Sequence, residues 1–197
     1  MDLVSSKYIE EFIPGEKLYH GAIQVTPFRN KEYIKKFSKN YALGIDSKLA
    51  GSLGYIDPNI QIKKQNFGIE SPSMVSQGYL FNVGFGLSVH DISFNAIANL
   101  SYKNLRYGVP AYEGDILFAT SEVLGIEVKK DGASNGSVQV RTTITNQDNK
   151  VVLEYVRQVL VRATKGKTLD TQSSIQDQPD RIGLTESMMP LKFHNLP

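Results

Sequence analysis

The sequence predicts an α+β fold in which a curved antiparallel sheet embraces one long helix. Three observations predict it. The stretch Met74–His90, MVSQGYLFNVGFGLSVH, repeats Val75, Tyr79, Val83 and Leu87 every fourth residue, along one side of a helix. Four later stretches, Ala96 to Tyr107, Asp115 to Lys129, Ser137 to Gln147 and Val151 to Ala163, are rich in Val, Ile, Thr and aromatics. The breaks GVPAYEG, DGASNG and QDNK separate them, and VQVRTTIT and VLEYVRQVLV alternate with a period of two, so an antiparallel meander is expected.

The helix explains its own composition. Gly78, Asn82 and Gly86 form a second row at the same spacing, where small side chains would let another backbone come close. Each glycine in an exposed helix costs about 1 kcal/mol relative to alanine. A sheet wrapped around the helix supplies the reason for them.

The other elements follow in order. YIEEFIPG closes in a Pro-Gly turn, and Lys17 to Val25 reads as a short first strand. Thr26-Pro27 opens an amphipathic helix through Tyr33, Ile34, Phe37 and Tyr41, with Lys31, Lys35, Lys36 and Lys39 on its wet side. SKLAGSLGYI allows one or two helical turns. IQIKKQNFGIESPS reads as an irregular crossing into the central helix. Beyond Thr164 the chain turns polar, as a linker or loosely held tail would, before ending in the apolar MMPLKFHNLP. The division expected is one domain over 1–165 and a tail over 166–197.

Composition narrows the function classes. A chain of 197 residues that is 41% hydrophobic is long enough for one well-cored domain. A formal charge of +2 with scattered basic residues does not suggest a nucleic-acid partner. Without cysteine there is no disulfide, thiolate nucleophile or sulfur-based zinc site. MDLVSSKYIEEF lacks the plan of a signal peptide, and no apolar run approaches the roughly 18 residues that span a bilayer. The expectation is a cytoplasmic protein with no membrane partner. There is no GxGxxG, P-loop, GxSxG or metal-ligand spacing.

The single helix, the run GVPAYEGDILFATSEVLGIE and the strand ending in RQVLVRATK resemble the MaoC-like hot-dog family of acyl-CoA hydratases and dehydratases. SVHDISFNAIANLSYKNLRYGVPAYEGDILFATSEVLG and TNQDNKVVLEYVRQVLV are most similar to the first half of its mesaconyl-CoA hydratase (β-methylmalyl-CoA dehydratase) branch, and IEEFIPGEKL to the opening segment. The resemblance covers roughly residues 8–165. It implies two hot-dog units pairing sheet to sheet, as a dimer or as halves of one chain, around an acyl-CoA thioester. The open face of the sheet would otherwise leave a large apolar surface in water. No cofactor is implied beyond the coenzyme A carried by the substrate.

The resemblance also places a site. SQGYLFNVG matches the family's helix start, which puts Gly78 where a backbone N–H holds the thioester oxygen and Gln77 where many members have histidine. Gln77, Gly78, Tyr41 and Asn82 are the substrate-binding residues it implies. The family's acid–base pair lies in a pattern like D-x-N-P-x-H. The best register here is SKNYALGID, which places Asn40 at the aspartate, Leu43 at the proline and Ile45 at the histidine. An amide holds a water but does not take its proton, so the usual pair is absent.

Asn40 and His90 are the remaining weak catalytic candidates; His90 precedes Asp91 at the end of the helix, where the dipole alone also favours a histidine. His20 and His194 are weaker, Asp46 and Glu70 are loop carboxylates, and Asp115 reads as structural. Lys35, Lys39, Lys103 and Arg106 are guesses for meeting the phosphates of coenzyme A. The first reading is therefore a separate half, a homodimer or heteromer with a second hot-dog unit that supplies the acid and base. A self-sufficient homodimeric hydratase, a hot-dog thioesterase and a non-catalytic acyl-CoA-binding protein are the alternatives.

Overall fold

Lys17–Gln24 forms β1, and the four long stretches fold as strands almost to the residue: β2 (Ala96–Tyr107), β3 (Ile116–Val128), β4 (Asn135–Thr145) and β5 (Val151–Arg162). The computed structural model describes residues 7–37, 41–185 and Met188. Two further short strands, β6 (Gln172–Ser173) and β7 (Ile182–Leu184), complete one sheet. Its order is β1-β3-β4-β5-β2-β7, with β6 beside β3. Only β3, β4 and β5 are a meander. β2 leaves its sequence neighbour and pairs with β5, from Ala96↔Val161 to Tyr107↔Leu153, which corrects the simple meander.

Strand alternation decides what meets the central helix. Leu117 and Ala119 of β3, Ile144 of β4 and Leu153 and Tyr155 of β5 form one buried cluster with Leu80 and Val83 of the helix. A second cluster gathers Ile9, Phe12, Val123, Val138, Val140, Val159 and Val161 around Ile92. The helix, α4, runs Gln77–Ser88, shorter than the expected stretch, and a π-helical turn over Val89–Ser93 carries Ile92 into the core. The sheet therefore embraces α4 as expected.

The glycine that allows this approach is Gly84, outside the expected row. A Cβ there would lie 2.1 Å from Ile144 Cδ1, so only glycine lets the helix sit this deep. Gly86 faces open space, and Asn82 is exposed.

The smaller helices differ from expectation in instructive ways. α1 covers Pro27–Phe37 and ends before Tyr41, which belongs instead to the loop leading into the 3₁₀ turn Ala42–Gly44. Asp46 caps α2 (Ser47–Ser52) by accepting from the N–H groups of Lys48 and Leu49. The crossing read as irregular contains a helix, α3 (Ile60–Phe67), closed by Gly68 at φ +65°. Tertiary contact outweighs its weak amphipathicity: Lys63 is buried and ion-paired with Asp57 at 2.7 Å and Asp115 at 2.5 Å.

Two expectations about the outside fail. The convex face of the sheet is polar, with Arg141 paired to Glu122 at 3.0 Å and Arg106 to Glu154 at 2.6 Å. Among the described residues these ion pairs interrupt the exposed apolar side chains of that face, such as Tyr19 and Phe118, so it is not one continuous apolar surface.

The segment beyond Thr164 is held as a strap and does not hang loose. β6 pairs with Glu127–Val128, Ser174 N–H donates to Ile126 O at 2.8 Å, and Gln139 grips both backbone groups of Gln176 at 2.7 and 3.0 Å. The strap then reaches Asn104 through Pro179 and adds β7 parallel to Leu105–Tyr107. Gly125 permits the crossing, since a Cβ on it would lie 2.2 Å from Ser174 O. Among the described residues no helix is long and apolar enough to cross a membrane.

Candidate functional site

The first turn of α4 is positioned by a buried polar clamp. Asn30, wholly buried on α1, donates to Met74 O and Glu113 Oε1, both at 3.1 Å, and accepts the Ser76 N–H at 3.2 Å. The other Glu113 oxygen accepts the Ser73 N–H at 3.1 Å, while Val75 N–H donates to Ala111 O. These bonds satisfy groups that would cost heavily if left unpaired, and they pin the loop entering α4. Asp115 supports it from below, accepting from Tyr112 N–H and Gln147 and pairing with Lys63. Its structural reading holds.

On that base, the N–H groups of Gln77 and Gly78 have no intrahelical acceptor, because the first turn of any helix leaves them orphaned. Ser76 does not cap them with its side chain. The residues around them are aromatic and amide. Asn82 Nδ2 donates to Gly78 O and to Tyr33 Oη, each at 2.9 Å. Tyr107 Oη donates to Gln77 O at 3.2 Å. The Tyr33 ring lies 5.4 Å from that of Tyr79 and 5.0 Å from that of Phe37. Burial pushes the phenols of Tyr79 and Tyr107 above their usual range, so both stay protonated donors at neutral pH.

Three of the four predicted binding residues, Gln77, Gly78 and Asn82, therefore converge. Tyr41 belongs to a separate cluster, packed with Leu43 and Tyr55 against Ala50, Met74, Tyr112 and Met188. Its hydroxyl is buried without a partner, and burial, aided by Tyr55 and Tyr107, pushes it up to about 12. A cleft of about 540 Å³ opens beside Glu113, lined also by Thr26, Lys31, Phe67, Glu70 and Ser71. Glu70 is exposed there and pairs with Lys64. Asn40, Lys39 and His194 lie outside the described residues.

The other candidates separate from this turn. His90 is exposed, its ring centroid 5.7 Å from that of Phe94, and twelve residues of helical rise place it about 18 Å from Gly78. It makes no pair with Asp91. That carboxylate instead meets His20, whose Nδ1 lies 2.5 Å from Asp91 Oδ2 and whose Nε2 lies 2.8 Å from Ser121 Oγ. Ser121 continues to Thr142 at 2.8 Å, all within the core. Burial holds the His20 imidazole below its usual value despite Asp91. Lys35 pairs with Glu32 on the wet side of α1, while Lys103 and Arg106 belong to β2, where Arg106 pairs with Glu154.

Chemically, the turn offers fixed donors to a carbonyl oxygen. Among the described residues it offers no free acid–base pair, since Glu113 and Asp115 are buried and committed to neighbours. Sequence reasoning missed Tyr33, which read only as an apolar position of α1. Nothing in the chain signals that α1 lies across the start of α4.

No family model matches the sequence. It is 49% identical over 80% of its length to mesaconyl-CoA hydratase of Cereibacter sphaeroides, covering 42% of that protein. It is 32% identical over 93% of its length to β-methylmalyl-CoA dehydratase of Chloroflexus aurantiacus, covering 48% of it. Among solved structures, a putative MaoC domain dehydratase from Chloroflexus aurantiacus matches with a TM-score of 0.77 and 31% identity, over 92% of this chain and 48% of that one. The chain spans about half the length of the curated relatives it matches. A Mycobacterium tuberculosis protein described as a double hot-dog fold matches with a TM-score of 0.70 at 19% identity, over 94% of this chain and 52% of that one, and speaks for the fold alone. Fold and relatives agree, and the chain belongs to the MaoC-like hot-dog family.

Proposed function

We propose that the chain is an acyl-CoA hydratase/dehydratase component that binds enoyl- or 3-hydroxyacyl-CoA thioesters at the first turn of α4. A second hot-dog unit supplies the general acid and base. The observation that carries this reading is the first turn itself, which presents free N–H donors and no uncommitted carboxylate or histidine among the described residues. The half-length match supports it, because the relatives named for this chemistry have room for a second unit of similar size. Gly78 N–H donates to the thioester oxygen and stabilises the negative charge that develops there as water adds to the conjugated double bond. The reading needs no cofactor besides the coenzyme A of the substrate, and it carries with it a cytoplasmic location.

The free part of β2 is the surface we assign to the second unit. β7 covers only Leu105–Tyr107, so Ala96 to Lys103 keeps an open edge, flanked by the exposed side chains of Phe94, Ile97, Leu100 and Tyr102. The polar, strapped convex face argues against stacking there.

The test is hydration of mesaconyl-CoA and crotonyl-CoA, followed by loss of the enoyl-thioester absorbance. Activity only on adding a co-purifying hot-dog chain is the expected result. Turnover by the chain alone would replace the split enzyme with a self-sufficient homodimer.

A further inference from the structure

We propose that Tyr33 is a second hydrogen-bond donor to the thioester carbonyl, acting beside the Gly78 N–H. The inference rests on the thioester reading above and adds a residue to it. A Cβ on Gly78 would point toward the start of the helix and would lie 2.8 Å from Tyr33 Oη. The phenolic oxygen therefore lies beside the first turn, against Gly78 and Asn82, on the turn that carries the orphaned N–H groups.

Its hydrogen bonds leave one function open. Both hydrogens of Asn82 Nδ2 are used, one on Gly78 O and one on Tyr33 Oη. Tyr33 Oη is thus an acceptor toward Asn82, and its own proton meets no acceptor among the described residues. Accepting one bond makes a hydroxyl a better donor in the next. Asn82 is exposed and Tyr33 is half-buried, so a ligand reaches this proton from solvent. Glycine at 78 leaves room for the phenol, since a Cβ there would lie 2.8 Å from Oη and push it aside.

The probe is cinnamoyl-CoA, whose conjugated absorbance moves to the red when electron density is drawn onto its carbonyl oxygen. The wild-type chain, with any hot-dog chain that co-purifies, is expected to bind it with a red shift. Tyr33→Phe keeps the ring packing and is expected to lose most of that shift, with kcat for hydration down about 100-fold, as for an oxyanion donor, and little change in KM. Replacement of Tyr33 by 3-fluorotyrosine, a stronger donor, is expected to enlarge the shift.

A purely structural tyrosine would instead lower the melting temperature and leave the shift in place. A full red shift in Tyr33→Phe overturns the role of Tyr33 and leaves the thioester reading standing. Failure of the wild type to bind or hydrate any enoyl-CoA, alone or with its partner, overturns both.

Discussion

His20 Nδ1 lies 2.5 Å from Asp91 Oδ2, tying the first strand to the turn that ends the central helix. With Nδ1–H donating to Asp91, Nε2 accepts from Ser121, so the neutral ring suits both neighbours.

Stability is expected to fall in acid because of this ring. Burial lowers the folded-state value of His20 beneath the ordinary 6.5, so near that pH the unfolded chain binds more protons. The contribution is complete above 6.5 and is lost as pH falls through the lower folded value. Arg157, which lowers it further, and Asp91, which opposes, are the charged groups nearby. His20→Gln should flatten the slope of urea midpoints below pH 6.5, and an unchanged slope would rule His20 out as its source. His20→Ala should cost about 1–3 kcal/mol by removing the partner of Asp91 and one of the two partners of Ser121.

Two glycines of α4 should respond oppositely to alanine. Gly84→Ala drives a methyl into Ile144, which is fully buried, and should cost about 1–3 kcal/mol. Gly86→Ala meets open space and should stabilise by up to about 1 kcal/mol. Denaturant midpoints of the two variants test the pair, and equal shifts would contradict the assigned facing.

The strap should be releasable at one point. Gly125→Ala places a methyl against the Ser174 carbonyl, so limited proteolysis should cut residues 165–185 faster than in the wild type. Unchanged cutting would mean that the strap yields without detaching.

Removing Lys63 should be costly. Lys63→Ala leaves Asp57 and Asp115 buried and unbalanced, for a loss of about 3–5 kcal/mol. Adding Asp57→Asn to Lys63→Ala should recover part of it, measured as a double-mutant cycle.

The strands and the central helix were legible because their periods are strong and local. VQVRTTIT fixes the faces of β4 wherever its neighbours stand. The position of β2 beside β5 was hidden, because strand order depends on pairings far apart in sequence. α3 was hidden for another reason: its lysine is buried by two aspartates from elsewhere in the chain. Family resemblance, rather than any local pattern, placed Gln77 and Gly78 at the helix start. Tyr33 and the His20–Asp91 pair were invisible for the same cause as β2, since each joins elements distant along the chain.

The pairing of β2 with β5 also sets an order of events during synthesis. Partners such as Tyr107 and Leu153, or Ala96 and Val161, are separated by dozens of residues, whereas β3, β4 and β5 are joined by short turns. Closing the long loop costs entropy before any contact repays it, so the local three-strand unit is expected to form first. α4 leaves the ribosome before any of these strands. Its apolar side, Leu80 and Val83, has only part of its wall until β5 brings Leu153 and Tyr155, so a nascent chain halted before Val151 would leave that side partly open to chaperones.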